Sequence, residues 1–304
     1  MKKLFSVAAL IAVLAVLALC LTGCGDTNTP PTATDAPAVT AEPAAEATAE
    51  PVAEKKTITI MASTTPHAII LEFVKEDLAA LGYDLVIKDV TDYYVGNPAT
   101  AAKEVNANYF QHMPFLNDYN SSVSEAEQLY PAIGVHCEPY GIYPGTKKAL
   151  ADVAAGDKIA VTNDPSNETR ALLLLADAGL IVLPEGADYT ANIRVEDIVD
   201  KKGLEIVEMN AELIPGILND VAFAVINGNY VLDAGMTVKD DALYTEAEGT
   251  TGSVYINYIV TRPEDKDADW VKALETVLFT QKVKDFILNN ESFKGGVIPT
   301  FEVK

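Results

Sequence analysis

The chain is predicted to be an α/β protein, and three observations predict it. Strand-like and helix-like segments alternate from Thr57 onward. The apolar period switches repeatedly between two and about 3.6 residues, as pleated strands and helices require. The helix-length stretches between strands imply βαβ units and a largely parallel sheet. In order, Thr57-Ile58-Thr59-Ile60-Met61 alternates as a half-buried strand should. Pro66 opens a helix with Ile69, Ile70, Phe73, Val74, Leu78 and Leu81 at helical spacing, and Gly82 ends it. Strands follow at Asp84–Val90, Lys158–Thr162, Leu204–Val207 and Val221–Ile226. Helices are expected over Ser166–Asp177 and Ala268–Leu288, the latter burying Trp270, Leu274, Val277, Leu278, Val283 and Ile287.

Two long strand-like segments, Ile133 to Tyr143 and Ser253 to Val260, break this rhythm. Each is placed where the chain could pass from one lobe to another. Residues 57–145 with 252–304 then form one lobe and 146–251 the second. Two crossings make a hinge, and a cleft between lobes favours a ligand.

The start of the chain is of another kind. Lys2 and Lys3 precede an uncharged apolar run, Leu4 to Leu21, which ends in Leu21-Thr22-Gly23-Cys24. A charged start, an apolar stretch and a small-residue cut site make an export signal, here residues 1–23, cut before Cys24 with lipidation of that cysteine. The competing reading is an uncleaved anchor, since roughly 20 apolar residues span a bilayer; the polar segment directly after Cys24 argues against it. Residues 24–56 read as the lipidated cysteine and a tether of Thr, Pro, Ala and acid, with too little apolar surface to offset ordering. The chain is therefore expected on the outer face of a bacterial cell membrane, held by lipid, with more than one acyl chain for stable anchoring.

Charge narrows the partners. The net charge is −22, from 44 acidic against 22 basic residues. Phosphate binding needs clustered Lys and Arg, so nucleic acid is not expected as a partner. Enzyme signatures are missing: there is no His-Glu-x-x-His, phosphate-binding loop, Gly-x-Gly-x-x-Gly or nucleophile elbow. The three histidines, His67, His112 and His136, are far apart, so a zinc site would need tertiary assembly. No catalytic residue, metal or cofactor is assigned. Cys137, flanked by apolar and proline-containing sequence, reads as a buried structural thiol.

Three local features stand out. Arg170, one of three arginines, follows Asn163-Asp164-Pro165-Ser166-Asn167, a loop entering an apolar helix with Asp164 or Ser166 as cap. A guanidinium beside free backbone N–H groups suits a bound carboxylate; a pair with a local acid such as Glu168 is the alternative these residues leave open. Asn108 to Phe115 packs aromatics, an amide and His112 between a strand and a helix, and Tyr93 adds aromatic surface nearby. Asn227 directly follows an apolar strand, where open α/β sheets bind ligands, although a turn role for Asn227-Gly228-Asn229 fits equally.

Together, Asn106 to His112, Asn163 to Asn167 with Arg170, Ala224 to Asn227, and Val254 to Asn257 followed by Ile259 to Arg262 resemble the methionine-binding lipoprotein family (MetQ/NlpA type). The resemblance covers essentially all of 57–304. It implies a two-lobed, type II periplasmic-binding-protein clamshell with two hinge crossings. That clamshell would capture methionine and deliver it to the permease and ATPase of an ABC importer, without catalysis. It also implies that Arg170 holds the ligand carboxylate, that Asn227 and Asn163 hold the polar amino-acid end, and that Tyr93, Phe110, His112 and Phe115 surround the thioether. Other ligands stay open at this point, namely D-methionine, a methionyl dipeptide or another apolar amino acid. Rival classes are an exported hydrolase using His112 or Cys137, and an adhesin.

Overall fold

The computed structural model describes residues 55–247 and 254–304. The export signal, Cys24 and nearly all of the tether fall outside the described residues. No helix among the described residues is long and apolar enough to cross a membrane.

The strands form two mixed sheets. The first contains β1 (Lys56–Ala62), β2 (Tyr83–Asp89), β3 (Ala107–His112), β4 (Tyr130–Cys137), β10 (Ile256–Thr261) and β11 (Ile298–Pro299), in the order β11-β4-β10-β3-β1-β2. The second contains β5 (Gly141–Pro144), β6 (Lys158–Thr162), β7 (Glu205–Met209), β8 (Phe223–Ile226) and β9 (Tyr244–Thr245), in the order β7-β6-β8-β5-β9. In each, a parallel centre (β2-β1-β3 and β7-β6-β8) is extended by antiparallel strands. The sheets are thus mixed rather than largely parallel, because β10 and β5 run opposite to the strand each joins at the edge of its parallel centre.

Local sequence explains most elements. β1 buries Ile58, Ile60 and Ala62 in alternation. Helix α1 (Ile69–Ala80) follows a short helical turn at Thr64–Ala68 and buries Ile70, Leu71, Val74 and Leu78. Its end is set by Gly82, whose φ of +89° is open to glycine at little cost. Helices α2 (Tyr93–Ala101) and α3 (Met113–Ser122) flank β3, and α4 (Pro165–Asp177) starts at Pro165 with Asp164 as its cap. After β8 come α5 (Gly228–Asp233) and the single turn α6 (Val238–Asp241). The last helical region is two helices, α7 (Asp269–Leu278) and α8 (Gln281–Asn289). They part at Thr280, whose hydroxyl accepts from Val283 N and restarts the helix.

Each sheet has its own core. Helices α1, α7 and α8 cover the first through Leu71, Leu78, Leu274, Val283 and Ile287. Helix α4 covers the second through Leu172 and Leu175 against Ile159, Val161 and Phe223. A third cluster joins Tyr93, Phe110 and Phe115 to Tyr143, Ile226 and Tyr230 of the second sheet's elements. The chain leaves the first sheet after Cys137 and joins the second at Gly141, so β5 lies inside the stretch assigned from sequence to the first lobe. It returns to the first sheet between Thr245 and Ile256.

Candidate functional site

Asp92 caps α2 by accepting from Tyr94 N at 2.8 Å, which sets Tyr93 at the first position of that helix. All six residues of β3 are buried. Its pairing with β10 skips Phe110, where the register shifts; such a bulge re-aims side chains beside a site. Phe110, Tyr93 and Phe115 meet ring to ring, with centroids 5.7–5.8 Å apart. His112 ends β3 and caps α3. Its Nδ1 accepts from Phe115 N at 3.3 Å, and its Nε2 lies 2.9 Å from Asn167 Oδ1 on α4. Those two partners assign the neutral Nε2–H tautomer. Burial, reinforced by the charge of Arg170, lowers the His112 pKa to about 3.

Helix α4 brings the cation. Asp164 accepts from Asn167 N at 3.0 Å, Asn167 Nδ2 at 2.9 Å and Thr162 Oγ1 at 2.7 Å, which locks the helix start. Arg170 then reaches Glu246 through two parallel bonds, Nε to Oε1 at 2.6 Å and Nη2 to Oε2 at 2.7 Å. Its Nη2 also donates to Glu138 O at 2.9 Å. The guanidinium lies over the rings of Tyr255, 3.9 Å from the centroid, and Tyr140, 4.6 Å away. Burial disfavours its charge, but Glu246 outweighs burial and holds the pKa above the usual arginine range. The acid that pairs with Arg170 is therefore Glu246, not Glu168, which instead accepts from Val195 N and faces Arg194.

A cavity between the two sheets is lined by Tyr93, Phe110, His112 and Phe115 from one side and Arg170 and Asn227 from the other. Six of the seven residues expected at the site thus converge. Asn163 does not line it; its Nδ2 donates to Asn210 Oδ1 at 3.0 Å. The amide that α4 presents is Asn167, one helical turn on. Gln111, Glu138, Asn229 and Asn257 also line the cavity and were not singled out from sequence. Asn167 and Asn257 lay within recognised motifs, whereas Glu138 was one acid among 44. Polar contacts close the walls over one another. Tyr93 OH donates to Asn229 Oδ1, and Tyr230 OH to Thr91 O.

Behind the cavity the fold assembles a group that sequence spacing hides. His67, His136 and Glu138 place one ligand atom each within 4.8 Å of the others. Two histidines and a carboxylate are a donor set zinc accepts; internal hydrogen bonds engage each side chain and leave His67 Nδ1 without a partner. His136 Nε2 donates to Glu138 Oε1 at 2.9 Å, its Nδ1 lies 2.5 Å from Tyr109 OH, and His67 Nε2 lies 3.1 Å from Asn257 Oδ1. Burial lowers His67 to about 4 and His136 to about 3, so both are neutral. Cys137 is buried, with its thiol pushed up to about 11 by burial, which suits packing and not nucleophilic attack.

The arrangement is that of a binding protein: a closed polar cavity of about 20 Å³ with aromatic walls between two sheets. Comparison carries this to a family. The profile of the NlpA lipoprotein family matches residues 58–301, and the chain belongs to that family of transporter substrate-binding proteins. It is 38% identical over 253 residues to the methionine-binding lipoprotein MetQ of Bacillus subtilis (strain 168), covering 82% of this chain and 89% of that one. The fold matches a nutrient-binding protein from Burkholderia cenocepacia bound to methionine, with TM-score 0.74, 35% identity, and coverage of 80% of this chain and 100% of the other. It also matches a periplasmic substrate-binding protein of an ABC transporter from Coxiella burnetii, with TM-score 0.72, 34% identity, and coverage of 80% and 99%.

Proposed function

We propose that this chain captures methionine between two lobes and presents it to the permease of an ABC importer. The cavity supports that reading. It pairs one guanidinium with amides and three aromatic rings, so a zwitterion with an apolar, polarizable side chain meets complementary groups at both ends. Arg170 holds the carboxylate in this reading, which is supported by its Nη1 making none of the bonds to Glu246 and Glu138. Asn227 holds the amino-acid end, and Tyr93, Phe110, His112 and Phe115 enclose the thioether. The lobes are residues 57–137 with 256–304, and 141–245, with one hinge crossing at 138–140. A ligand touching both lobes favours the closed state by its contacts there. The relatives' lipoprotein nature supports export, cleavage before Cys24 and anchoring on the outer membrane face through a lipid on that cysteine.

A second reading has one observation in its favour. A groove of about 720 Å³ is lined by Met113, Pro114, Ser166 and Thr169, chain neighbours of the cavity residues. It offers room for the second residue of a methionyl dipeptide. A thermal-shift series on the protein lacking residues 1–24, refolded free of ligand, separates the two. A ligand at about 100 times its Kd stabilises by about 2.7 kcal/mol. A shift with methionine that exceeds those with leucine and Gly-Met supports the first reading; no shift with any amino acid overturns it.

A further inference from the structure

The inference concerns the length of side chain the cavity accepts, and it rests on the reading of that cavity as an amino-acid site. Gly96 is a buried residue inside α2, the helix that begins with Tyr93. Its φ is not positive, so no left-handed turn calls for glycine there. Glycine is a poor helix former, and alanine at such a position is the better one. Backbone geometry therefore does not explain this glycine; the space beside it does. A Cβ on Gly96 would fall on the ring of Phe110, 2.9 Å from Cδ1 and 3.2 Å from Cζ, with Cε1 nearer still. The edge of that ring fills the volume any side chain at position 96 would need.

The two neighbours differ in how far they can yield. Helix α2 is clamped to β3 by a network of amides. Asn97 Nδ2 donates to Gln111 Oε1 at 3.0 Å, and Asn108 Nδ2 reaches Thr100 Oγ1 at 2.8 Å and Asn97 Oδ1 at 3.0 Å. The carbonyl of Gly96 itself accepts from Thr100 Oγ1 at 2.8 Å and lies 3.3 Å from Asn108 Nδ2. Asn97, Thr100, Asn108 and Gln111 are each at most 2% exposed, and a buried polar group that loses its partner is costly. The helix is thus held in place, and the Phe110 ring is the member that gives. That ring meets Tyr93 and Phe115, and all three line the cavity. A ring pushed off Gly96 moves into the cavity or presses on the two rings that wall it. With a free volume of about 20 Å³ there is no slack to absorb the shift.

We propose that Gly96 sets the reach of the cavity. By carrying no side chain it lets Phe110 stand back against α2, and that setback fixes how long an apolar side chain the site accepts. Gly96 is a positioning residue that acts through Phe110. A single methylene in an apolar pocket discriminates by roughly 10–200-fold. A methyl group added behind the ring is a step of that size. Glycine therefore leaves room for the thioether chain of methionine, where alanine would leave room for a shorter one.

The test is calorimetric titration of the ligand-free protein, its Gly96→Ala variant and the Gly96→Ala/Phe110→Leu double variant. The ligands are methionine and 2-aminobutyrate, whose side chain is an ethyl group. Gly96→Ala is expected to lose at least ~10-fold in methionine affinity and almost none for 2-aminobutyrate. The double variant, with a smaller side chain in place of the displaced ring, is expected to recover most of the wild-type preference. A purely structural role would weaken both ligands alike. An alanine variant that keeps the wild-type preference, or that loses both ligands equally, overturns the proposal. So does a double variant whose preference stays that of Gly96→Ala. A wild type that binds no amino acid overturns the underlying methionine reading and this inference with it. A wild type that prefers methionine, beside an alanine variant with the same preference, overturns this inference alone. If Gly96→Ala does not fold, Phe110→Leu alone withdraws the same wall. Its ethionine-to-methionine affinity ratio should rise above that of the wild type, and an unchanged or lower ratio sinks the assignment.

Discussion

Arg170 and Arg194 are separated by 24 positions, and both face glutamates, yet the fold uses them differently. Arg170 has a side chain 5% exposed, engages Glu246 with two parallel hydrogen bonds, and rests on two tyrosine rings. Arg194 is 29% exposed. Its Nη1 lies 2.8 Å from Glu168 Oε2, and its Nη2 lies 3.4 Å from Glu208 Oε1. Glu168 Oε2 makes no aligned hydrogen bond, so that contact is one of charge. The first arginine is locked in a fork and held flat, with Nη1 outside the bonds to Glu246 and Glu138. The second is a partly exposed cation beside a buried acid. Burial and preorganisation, and not the presence of an ion pair, separate a binding platform from a stabilising contact.

The sharpest way to break this contrast is Arg170→Ala. Methionine binding should be lost, as the carboxylate partner is gone. Stability should fall too, by about 1.5–3 kcal/mol, because Glu246 loses two charge-assisted hydrogen bonds to the guanidinium. Titration calorimetry and urea unfolding measure the two effects. A variant that unfolds like the wild type would mean that the Arg170–Glu246 pair is not structural, and undiminished affinity would remove Arg170 from the site.

Arg194→Ala should cost about 1 kcal/mol and leave methionine affinity unchanged. Its pH dependence carries more information than its size. Burial raises the Glu168 pKa to about 7 from an ordinary 4.5, against the pull of Val195 N–H and Arg194. A folded pKa above the unfolded one means that folding favours the protonated acid, so stability from this group grows as pH falls from about 7 toward 4.5. Without Arg194 the ionised form costs more. The variant should therefore lose more stability at pH 8 than at pH 5.5, as thermal melts at the two values would report. An equal loss at both would show that Arg194 does not act on Glu168.

The same contrast shows what the sequence could and could not reveal. Strand β1, the stop at Gly82 and the start of α4 at Asp164 and Pro165 were legible, because alternation, a left-handed glycine and an N-cap are local devices. So was the convergence of Tyr93, Phe110, His112, Phe115, Arg170 and Asn227, since resemblance carried their order and spacing. What failed was set by distant partners. The apolar run Ile133 to Tyr143 reads as one segment, yet Cys137 ends a strand in one sheet and Gly141 begins a strand in the other. Helix α2 holds Gly96 and Pro98 within nine residues, so no propensity announced it. Glu246 is 76 positions from the arginine it pairs with. Beside its near neighbour His136, Glu138 meets His67 and the chain at Gly228, and its own neighbourhood predicts neither of those two. Asn163 was assigned to the cavity by motif, but it faces Asn210, and Asn167 takes the cavity-facing place.

The smallest expected effect isolates what the tyrosine beneath Arg170 contributes. Tyr255 is 2% exposed, with its ring under the guanidinium at 3.9 Å and its centroid 5.0 Å from His112. A cation over an aromatic face contributes on the order of 0.5–1 kcal/mol, more when desolvated, and the attraction comes from the ring rather than from its hydroxyl. Tyr255→Phe should therefore bind methionine within about twofold of the wild type, while Tyr255→Leu should bind roughly fivefold more weakly because the guanidinium loses its flat support. The comparison between the two variants matters more than either alone, since both remove the hydroxyl and only one removes the face. If Phe and Leu weaken binding equally, the hydroxyl rather than the stack positions Arg170, and the difference between the two arginines reduces to the Glu246 fork alone.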